Sequence, residues 1–475
     1  MHFSTIFKSF KNKDMLRRIL IIFGIIIAYR LLAQIPVPMG DASTFKEAVT
    51  NLLEKSDFSN FLNLISGGGL ASFSIILVGL SPYITGSIVM QLLSKAVPRL
   101  EELSNDGETG RRKINQWTRM LTVPLAIIQS VAYIFILYQS TVSANVSTEF
   151  VPTAGDWILS VTAMTAGSVI LMWLGELITE QGIGNGISTL IFASIISQLP
   201  NTMAQLGNAL FDTSEGTLQL FGGLEIPVNP TVFWIILGFS VAMIIVIYFL
   251  VKLNEAQRII TINYAKRVHG NSSYGGIKSI LPIKLIAAGV VPVIFATAFL
   301  SLPALVGQVI MSFDSGNEVG MWLTTVFSAP SASNFATQYP DGITGQWFVY
   351  PIMYFLLVFA FTYFYTSIIF NTKEIADNLQ KQGGFIEGVR PGAKTAEYLS
   401  KVVKRLDLFG ALALGVIAML PFATDYVFIL TTGAPLGLSI SGTGLLIVVT
   451  VALDNLRSVD SRALMITYDD FKNES

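Results

Sequence analysis

The chain has 475 residues, 52% hydrophobic and only 13% charged, with a mean hydropathy of +0.61. A soluble domain carries about 25% charged residues, so this composition excludes one and predicts a polytopic membrane protein. Cysteine is absent, which excludes disulfides, thiolate metal sites and cysteine nucleophiles, and the net charge of −1 says less than where the charges sit.

The N-terminus carries Lys8, Lys11, Lys13, Arg17 and Arg18, followed by the apolar run Ile19 to Ala33. A signal peptide has this outline, but the run is long and many more spans follow. It is read as span 1, with a cytoplasmic N-terminus and Arg30 snorkelling near the outer end.

Residues Phe61 to Leu93 contain no Lys, Arg, Asp, Glu or His. A bilayer core of about 30 Å needs about 20 helical residues, so the stretch is too long for one straight span. It is also broken at Gly67, Gly68 and Gly69, where each Gly costs a helix interior about 1 kcal/mol relative to Ala. The expected arrangement is a short apolar half-element, Phe61 to Ile65, a joint, and span 2 from about Ser72 to Leu93, bent at Pro82. Non-helical backbone survives at membrane depth only inside protein or beside a water-filled cavity, so the break points to a cavity. A re-entrant loop ahead of an ordinary span is the alternative.

Eight more spans follow, at about Met120–Tyr138, Trp157–Leu177, Gly186–Met203, Val232–Val251, Ile280–Val309, Trp347–Phe370, Leu408–Phe422 and Leu438–Leu453. Pro292 and Pro303 are expected to interrupt the seventh span. Ten spans place both termini on one side. The charges agree: of 30 Lys and Arg, Lys46 and Lys55 fall in the first outer loop and Arg30 in span 1. All others lie in the N-terminus, loops 2/3, 6/7 and 8/9, and the C-terminus. The later outer loops hold none, a strong positive-inside pattern. Five spans per half permit an inverted repeat, with halves at 1–205 and 206–475.

Ion-coupled transporters usually carry ionisable groups at mid-membrane. Here Glu176 and Glu180 sit at the cytoplasmic end of span 4, and His2 and His269 lie outside the membrane. There is no HExxH and no Gly-Lys pair of a P-loop. Nucleotide hydrolysis and metal chemistry within the chain are therefore not expected. No cofactor is expected, and energy should come from a cytoplasmic partner.

Two large cytoplasmic loops, 252–284 and 371–405, could receive it. The first carries Lys252, Arg258, Lys266, Arg267 and Lys278, the β-branched run Ile259-Ile260-Thr261-Ile262-Asn263-Tyr264, and a turn at Ser272 to Gly276, which together predict a projecting hairpin. The second has Gly383-Gly384 and Pro391-Gly392 as turn signals, and seven basic residues including Arg390. These charges could simply set topology and meet anionic lipid, but a basic projecting surface also suits RNA.

The segments WLGELITEQGIGNGIS (Trp173–Ser188), GETGRRKINQWTR (Gly107–Arg119), NYAKR (Asn263–Arg267), FNTKEIADNLQKQGGFIEGVRPG (Phe370–Gly392) and GTGLLIVV (Gly442–Val449) closely resemble the bacterial SecY family, in order and between the expected spans. The resemblance implies an all-α protein of ten transmembrane helices in two inverted five-helix halves around a central pore. Its expected role is a protein-conducting channel for signal-sequence-bearing preproteins in the bacterial cytoplasmic membrane. The expected partners are SecE, SecG, and either the SecA motor or the ribosome. It implies a plug at about 58–72, carried by Phe61, Leu62, Asn63, Leu64, Ile65, Gly67, Gly68 and Gly69. An apolar waist falls on Leu80, Ile84, Ile187, Ile191, Ile294 and Ile447. Leu80/Ile84 and Ile187/Ile191 are each i, i+4 and share a helix face; either Ile294 or Val291 faces inward on span 7. Gln91 is a candidate polar member of a lateral gate between spans 2 and 7. Arg258, Lys266, Arg267 and Arg390 are candidate docking residues for SecA or the ribosome, including its RNA. A secondary transporter of a small solute and an intramembrane protease are the rival readings; both want titratable groups at mid-membrane.

Overall fold

The structure is a computed structural model. It describes residues 13–38, 73–143, 153–211, 218–220, 224–264, 267–269, 272–274, 278–314, 316–328, 345–432 and 439–474. Each expected span overlaps a helix. In chain order these are α1 (Lys13–Leu32), α2 (Ser81–Ala96), the short α3 (Pro98–Asn105), α4 (Gly107–Ser143), α5 (Ala154–Glu180) and α6 (Gly186–Phe211). A small hairpin, β1 (Leu218–Leu220) with β2 (Leu224–Ile226), precedes α7 (Pro230–Glu255). Strands β3 (Gln257–Tyr264), β4 (Arg267–His269), β5 (Ser272–Tyr274) and β6 (Lys278–Lys284) come next. The chain continues with α8 (Val291–Phe313), α9 (Glu318–Phe327), α10 (Val349–Ile369), α11 (Thr372–Lys381), β7 (Gly384–Ile386), α12 (Ala393–Thr432) and α13 (Ser439–Glu474). Among the described residues, five helical stretches have both the length and the apolarity to cross a membrane unaided, those of α4, α5, α7, α8 and α10. The chain is a multi-pass membrane protein.

Some expectations are corrected. Span 2 does not start near Ser72: residues 73–80 are a series of turns, and α2 begins at Ser81. Pro82 therefore sits in the first helical turn, where its missing N–H is no loss, and does not bend the helix. Span 7 likewise begins later than Ile280. Residues 278–284 form β6, and Pro292 is the second residue of α8, so only Pro303 lies inside the helix. The predicted hairpin is present, but Ser272 to Tyr274 is strand β5 paired with β4, not part of the turn.

The chain divides into two compact units. The first comprises Met1–Val241, Thr297–Pro351 and Pro421–Ser475; the second comprises Ala242–Ala296 and Ile352–Leu420. The first has a core around Val37, Phe73, Leu77, Ile134, Leu137, Met164 and Ala304, all almost fully buried. Its helix α5 starts at a capping box, in which Thr153 Oγ1 accepts from the Asp156 N–H and the Asp156 carboxylate accepts from the Thr153 N–H at 2.9 Å. The second unit is built on an antiparallel sheet in the order β6-β3-β7. One sheet face packs Ile260, Ile283 and Ile386 onto Leu399 of α12. Leu285 N–H donates to the Ala256 carbonyl at 2.8 Å and closes the base of the hairpin.

Candidate functional site

Residues 73–80 in the first unit, at the end of the broken apolar stretch, form turns and not helix. With no water in a bilayer core, non-helical backbone must find its hydrogen bonds within protein. The Val37 N–H donates to the Phe73 carbonyl at 2.8 Å, and the Ile75 N–H donates to the Ile35 carbonyl at 3.0 Å. Ser74 is fully buried; its Oγ donates to the Leu32 carbonyl at 3.0 Å and accepts from the Ile76 N–H at 3.3 Å. Helix α5 closes the other side. Ser168 Oγ donates to the Gly79 carbonyl at 2.9 Å. One residue before it, Gly167 lies so close that a Cβ there would overlap the Ile75 carbonyl. The segment that leads into α2 is thus pinned by α1, its following turn and α5. None of Ser74, Gly167 or Ser168 stands out in the sequence, since small residues in apolar spans are common.

Leu80 caps α2, and Ile84 lies one turn in; both are 2% exposed, and the Ile84 N–H donates to the Leu80 carbonyl. Ile191 of α6 is 2% exposed and Ile447 of α13 is 6% exposed. Ile187, in the first turn of α6, is half-buried and packs beside α5, where a Cβ on Gly175 would lie 3.0 Å from its Cγ1. These five residues belong to the first unit. Ile294 lies in the first turn of α8 within the second unit; it is buried, whereas Val291 is half-buried. The plug residues Phe61, Leu62, Asn63, Leu64, Ile65, Gly67, Gly68 and Gly69 lie outside the described residues. Gln91 Nε2 donates to Ser87 Oγ at 3.0 Å, while its buried Oε1 accepts no hydrogen bond among the described residues.

The α5–α6 turn is held tightly. Asn185 caps α6, its Oδ1 accepting from the Ile187 and Ser188 N–H groups at 3.0 and 3.3 Å. Thr179 Oγ1 accepts from the Gly186 N–H at 2.9 Å, and an Arg18 guanidinium N–H donates to the Gln181 carbonyl at 2.9 Å. Between α4 and α5, Arg119 Nε donates to Glu176 Oε1 at 2.7 Å.

In the second unit, Arg258 is exposed on β3 and Arg390 is exposed in the turn between β7 and α12. That turn is ordered by its own bonds. Gly388 and Gly392 have φ of +78° and +89°, Val389 packs into the apolar cluster, and Thr395 Oγ1 donates to the Arg390 carbonyl at 3.0 Å. Arg390 itself makes no ion pair among the described residues. Arg267 lies on β4, and Lys266 is outside the described residues. The sheet face opposite the cluster is apolar too: Ile259 is 54% exposed, Ile280 61% and Phe385 36%. Pairing of Ile259 with Pro282 and of Thr261 with Ile280 sets these residues on one face, which Lys278 and Lys284 flank. Exposed apolar area rimmed by charge marks an interaction surface.

The family model for SecY matches residues 74–456. The chain belongs to the SecY family. Among SecY relatives, the protein translocase subunit of Streptomyces galbus is 37% identical over 470 residues, which is 98% of each chain. That of Corynebacterium glutamicum is 37% identical over 483 residues, covering 98% of this chain and 99% of the relative. Among solved structures, one described as a protein conducting channel superposes with a TM-score of 0.60 at 18% identity, covering 92% of this chain and 90% of the other. Sec61 in a canine ribosome–channel complex superposes with a TM-score of 0.57, also at 18% identity, over 92% and 90%. At that identity the structural likeness establishes the SecY fold.

Proposed function

We propose that this chain is the central protein-conducting channel of a Sec translocase. It passes unfolded preproteins across the bacterial cytoplasmic membrane and releases transmembrane segments sideways into lipid. The observation that carries the reading is the relationship to translocase SecY subunits along 98% of the chain. The non-helical turns at 73–80, buried within protein, are compatible with it, because a bilayer tolerates irregular backbone only inside protein or beside a cavity. In this reading residues 1–205 and 206–475 are the inverted halves, and both termini are cytoplasmic. Leu80, Ile84, Ile187, Ile191, Ile294 and Ile447 form a dry waist that blocks ions by dewetting. Residues 58–72 plug it, and Gln91 is a polar member of the lateral exit. The buried Oε1 of Gln91, which accepts no hydrogen bond among the described residues, supports that role, since a buried polar atom left without a partner costs about 1–3 kcal/mol.

The channel is passive in itself and needs no cofactor or catalytic group of its own. SecE clamps it, SecG accompanies it, and SecA or a ribosome drives it from the cytoplasmic side. Arg258, Lys266, Arg267 and Arg390 belong to the docking surface, with the apolar sheet face beside them. Guanidinium binds carboxylate or phosphate through paired hydrogen bonds, so one tip can serve protein and ribosomal RNA. The test is reconstitution into vesicles with SecE and SecA. ATP-dependent import of a preprotein is expected; transport of a small solute without preprotein import would overturn the reading in favour of a secondary transporter.

A further inference from the structure

We infer that Asn455 is a positioning residue of the resting channel, holding α13 against α6 at one register through Thr189. The inference rests on the waist reading of Ile187, Ile191 and Ile447, which these two helices carry.

The two helices meet along the α13 face that carries Gly444, Ile447, Val451 and Asn455, spaced three and four apart. Toward the start of α13 the contact is apolar. Ile447 and Val451 are buried, and a Cβ on Gly444 would lie 3.3 Å from Ile195 Cγ2. Apolar contacts are non-directional, and lipid supplies no hydrophobic force between helices, so such a seam by itself tolerates sliding. Eight residues on from Ile447, the contact becomes directional. Asn455 Nδ2 donates to Thr189 Oγ1 at 3.2 Å, and Thr189 Oγ1 donates in turn to the Asn185 carbonyl at 2.9 Å. Asn185 is the residue that caps α6, so the bond chain runs from α13 to the start of the helix bearing Ile187 and Ile191.

Two further contacts sharpen the fit. Asn455 Oδ1 sits against Gly184, where a Cβ would overlap it, and φ at Gly184 is +77°. Seven residues along α13, on the same side, the Arg462 guanidinium covers Gly182, where φ is +70°. The α5–α6 turn has therefore shed two side chains where α13 presents its two polar groups. A one-turn slide of α13 would move Asn455 by about 5.4 Å, out of reach of Thr189. Neither residue lies at the waist. They act through helix position.

The experiment uses the full chain reconstituted with its partner subunits in vesicles. Three readouts are taken: resting ion conductance, import of a preprotein with a defective signal sequence, and abundance of the complex. The variants are Asn455→Leu, Thr189→Val, their double, and the conservative Thr189→Ser. Loss of one ordinary hydrogen bond shifts an open–closed equilibrium about threefold to tenfold. Asn455→Leu and Thr189→Val should each raise resting conductance by that factor and admit the defective preprotein, at unchanged abundance. Thr189→Ser keeps the hydroxyl and should conduct as the parent does. The double should be no leakier than the worse single, because both remove the same bond. If Asn455→Leu lowers abundance, the comparison of Thr189→Val with Thr189→Ser decides alone. Ile191→Asn and Ile447→Asn serve as controls for the waist. Raised conductance in these controls with silent Asn455→Leu and Thr189→Val would overturn the positioning role and leave the waist standing. Silent controls would overturn the waist reading, and this inference with it.

Discussion

Two regions hold irregular or extended backbone, and they do so with opposite materials. Around residues 73–80, in the first unit, Phe73, Ser74, Ile75 and Gly79 each meet a backbone or hydroxyl partner from α1, the turn after it or α5, and Gly167 makes room for the approach. In the second unit the β6-β3-β7 sheet satisfies its own ladder, water can serve its edges, and an aliphatic cluster of Ile260, Ile283, Ile386 and Leu399 holds it to α12. Lipid offers no hydrogen bonds, so backbone there must be read by small and hydroxyl side chains at close range. Outside the membrane the hydrophobic effect does the holding. The first region should therefore break when atoms are added, and the second when atoms are removed.

The largest effect is expected from Gly167→Val. Its side chain would collide with the Ile75 carbonyl, which has no freedom to move away. Overpacking costs typically about 1–3 kcal/mol and occasionally more, and here it falls on backbone, so the complex should fail to accumulate in membranes, as immunoblotting would read. A normally abundant Gly167→Val complex would break the contrast.

Arg390→Glu should leave the complex assembled and abolish SecA-driven import, while Arg390→Lys should be clearly impaired, since it loses the paired geometry. The exposed position of Arg390 on an ordered turn predicts no stability change. Import by Arg390→Glu vesicles at the parental rate would mean that the basic loop charges only set topology.

Leu399→Ala removes a fully buried side chain from the cluster beneath the β6-β3-β7 sheet and should destabilise that unit by about 2–5 kcal/mol, seen as faster proteolysis of its loops. Ser168→Ala deletes one hydroxyl and should cost about 1 kcal/mol, with a modest fall in the melting temperature of the purified complex. A Ser168→Ala loss exceeding that of Leu399→Ala would reverse the ranking between the regions.

The smallest effect concerns Glu397. Hydrogen bonds from Lys394, at 2.9 Å, and Lys401, at 3.0 Å, hold its carboxyl down at about 2. A lowered carboxyl stabilises the folded state above the unfolded value near 4.5 and loses that contribution as pH falls toward about 2. All three side chains are well exposed and screened by salt, so Glu397→Gln at neutral pH should leave both melting and import unchanged. A clear drop in either would assign the triad to a docked partner.

The existence of the spans and of the hairpin on β3 was legible in the amino-acid sequence, because hydropathy and β-branched runs are local quantities. Leu80 with Ile84 and Ile187 with Ile191 were legible as shared faces for the same reason. The starts of α2 and α8 were not. Phe73 to Leu80, but for Ser74, and Ile280 to Ile283 are apolar, and a short apolar run reads alike as helix, strand or buried turn. Strand pairing with β3 decides the second case, and the bonds to α1 and α5 decide the first. The contact between Thr189 and Asn455 joins residues 266 apart in the chain. Nothing local marks that Asn as a partner and not a lipid-edge residue. Whether a small or polar side chain in a span faces lipid, a helix or a backbone carbonyl depends on which helices are neighbours, and only tertiary packing chooses them.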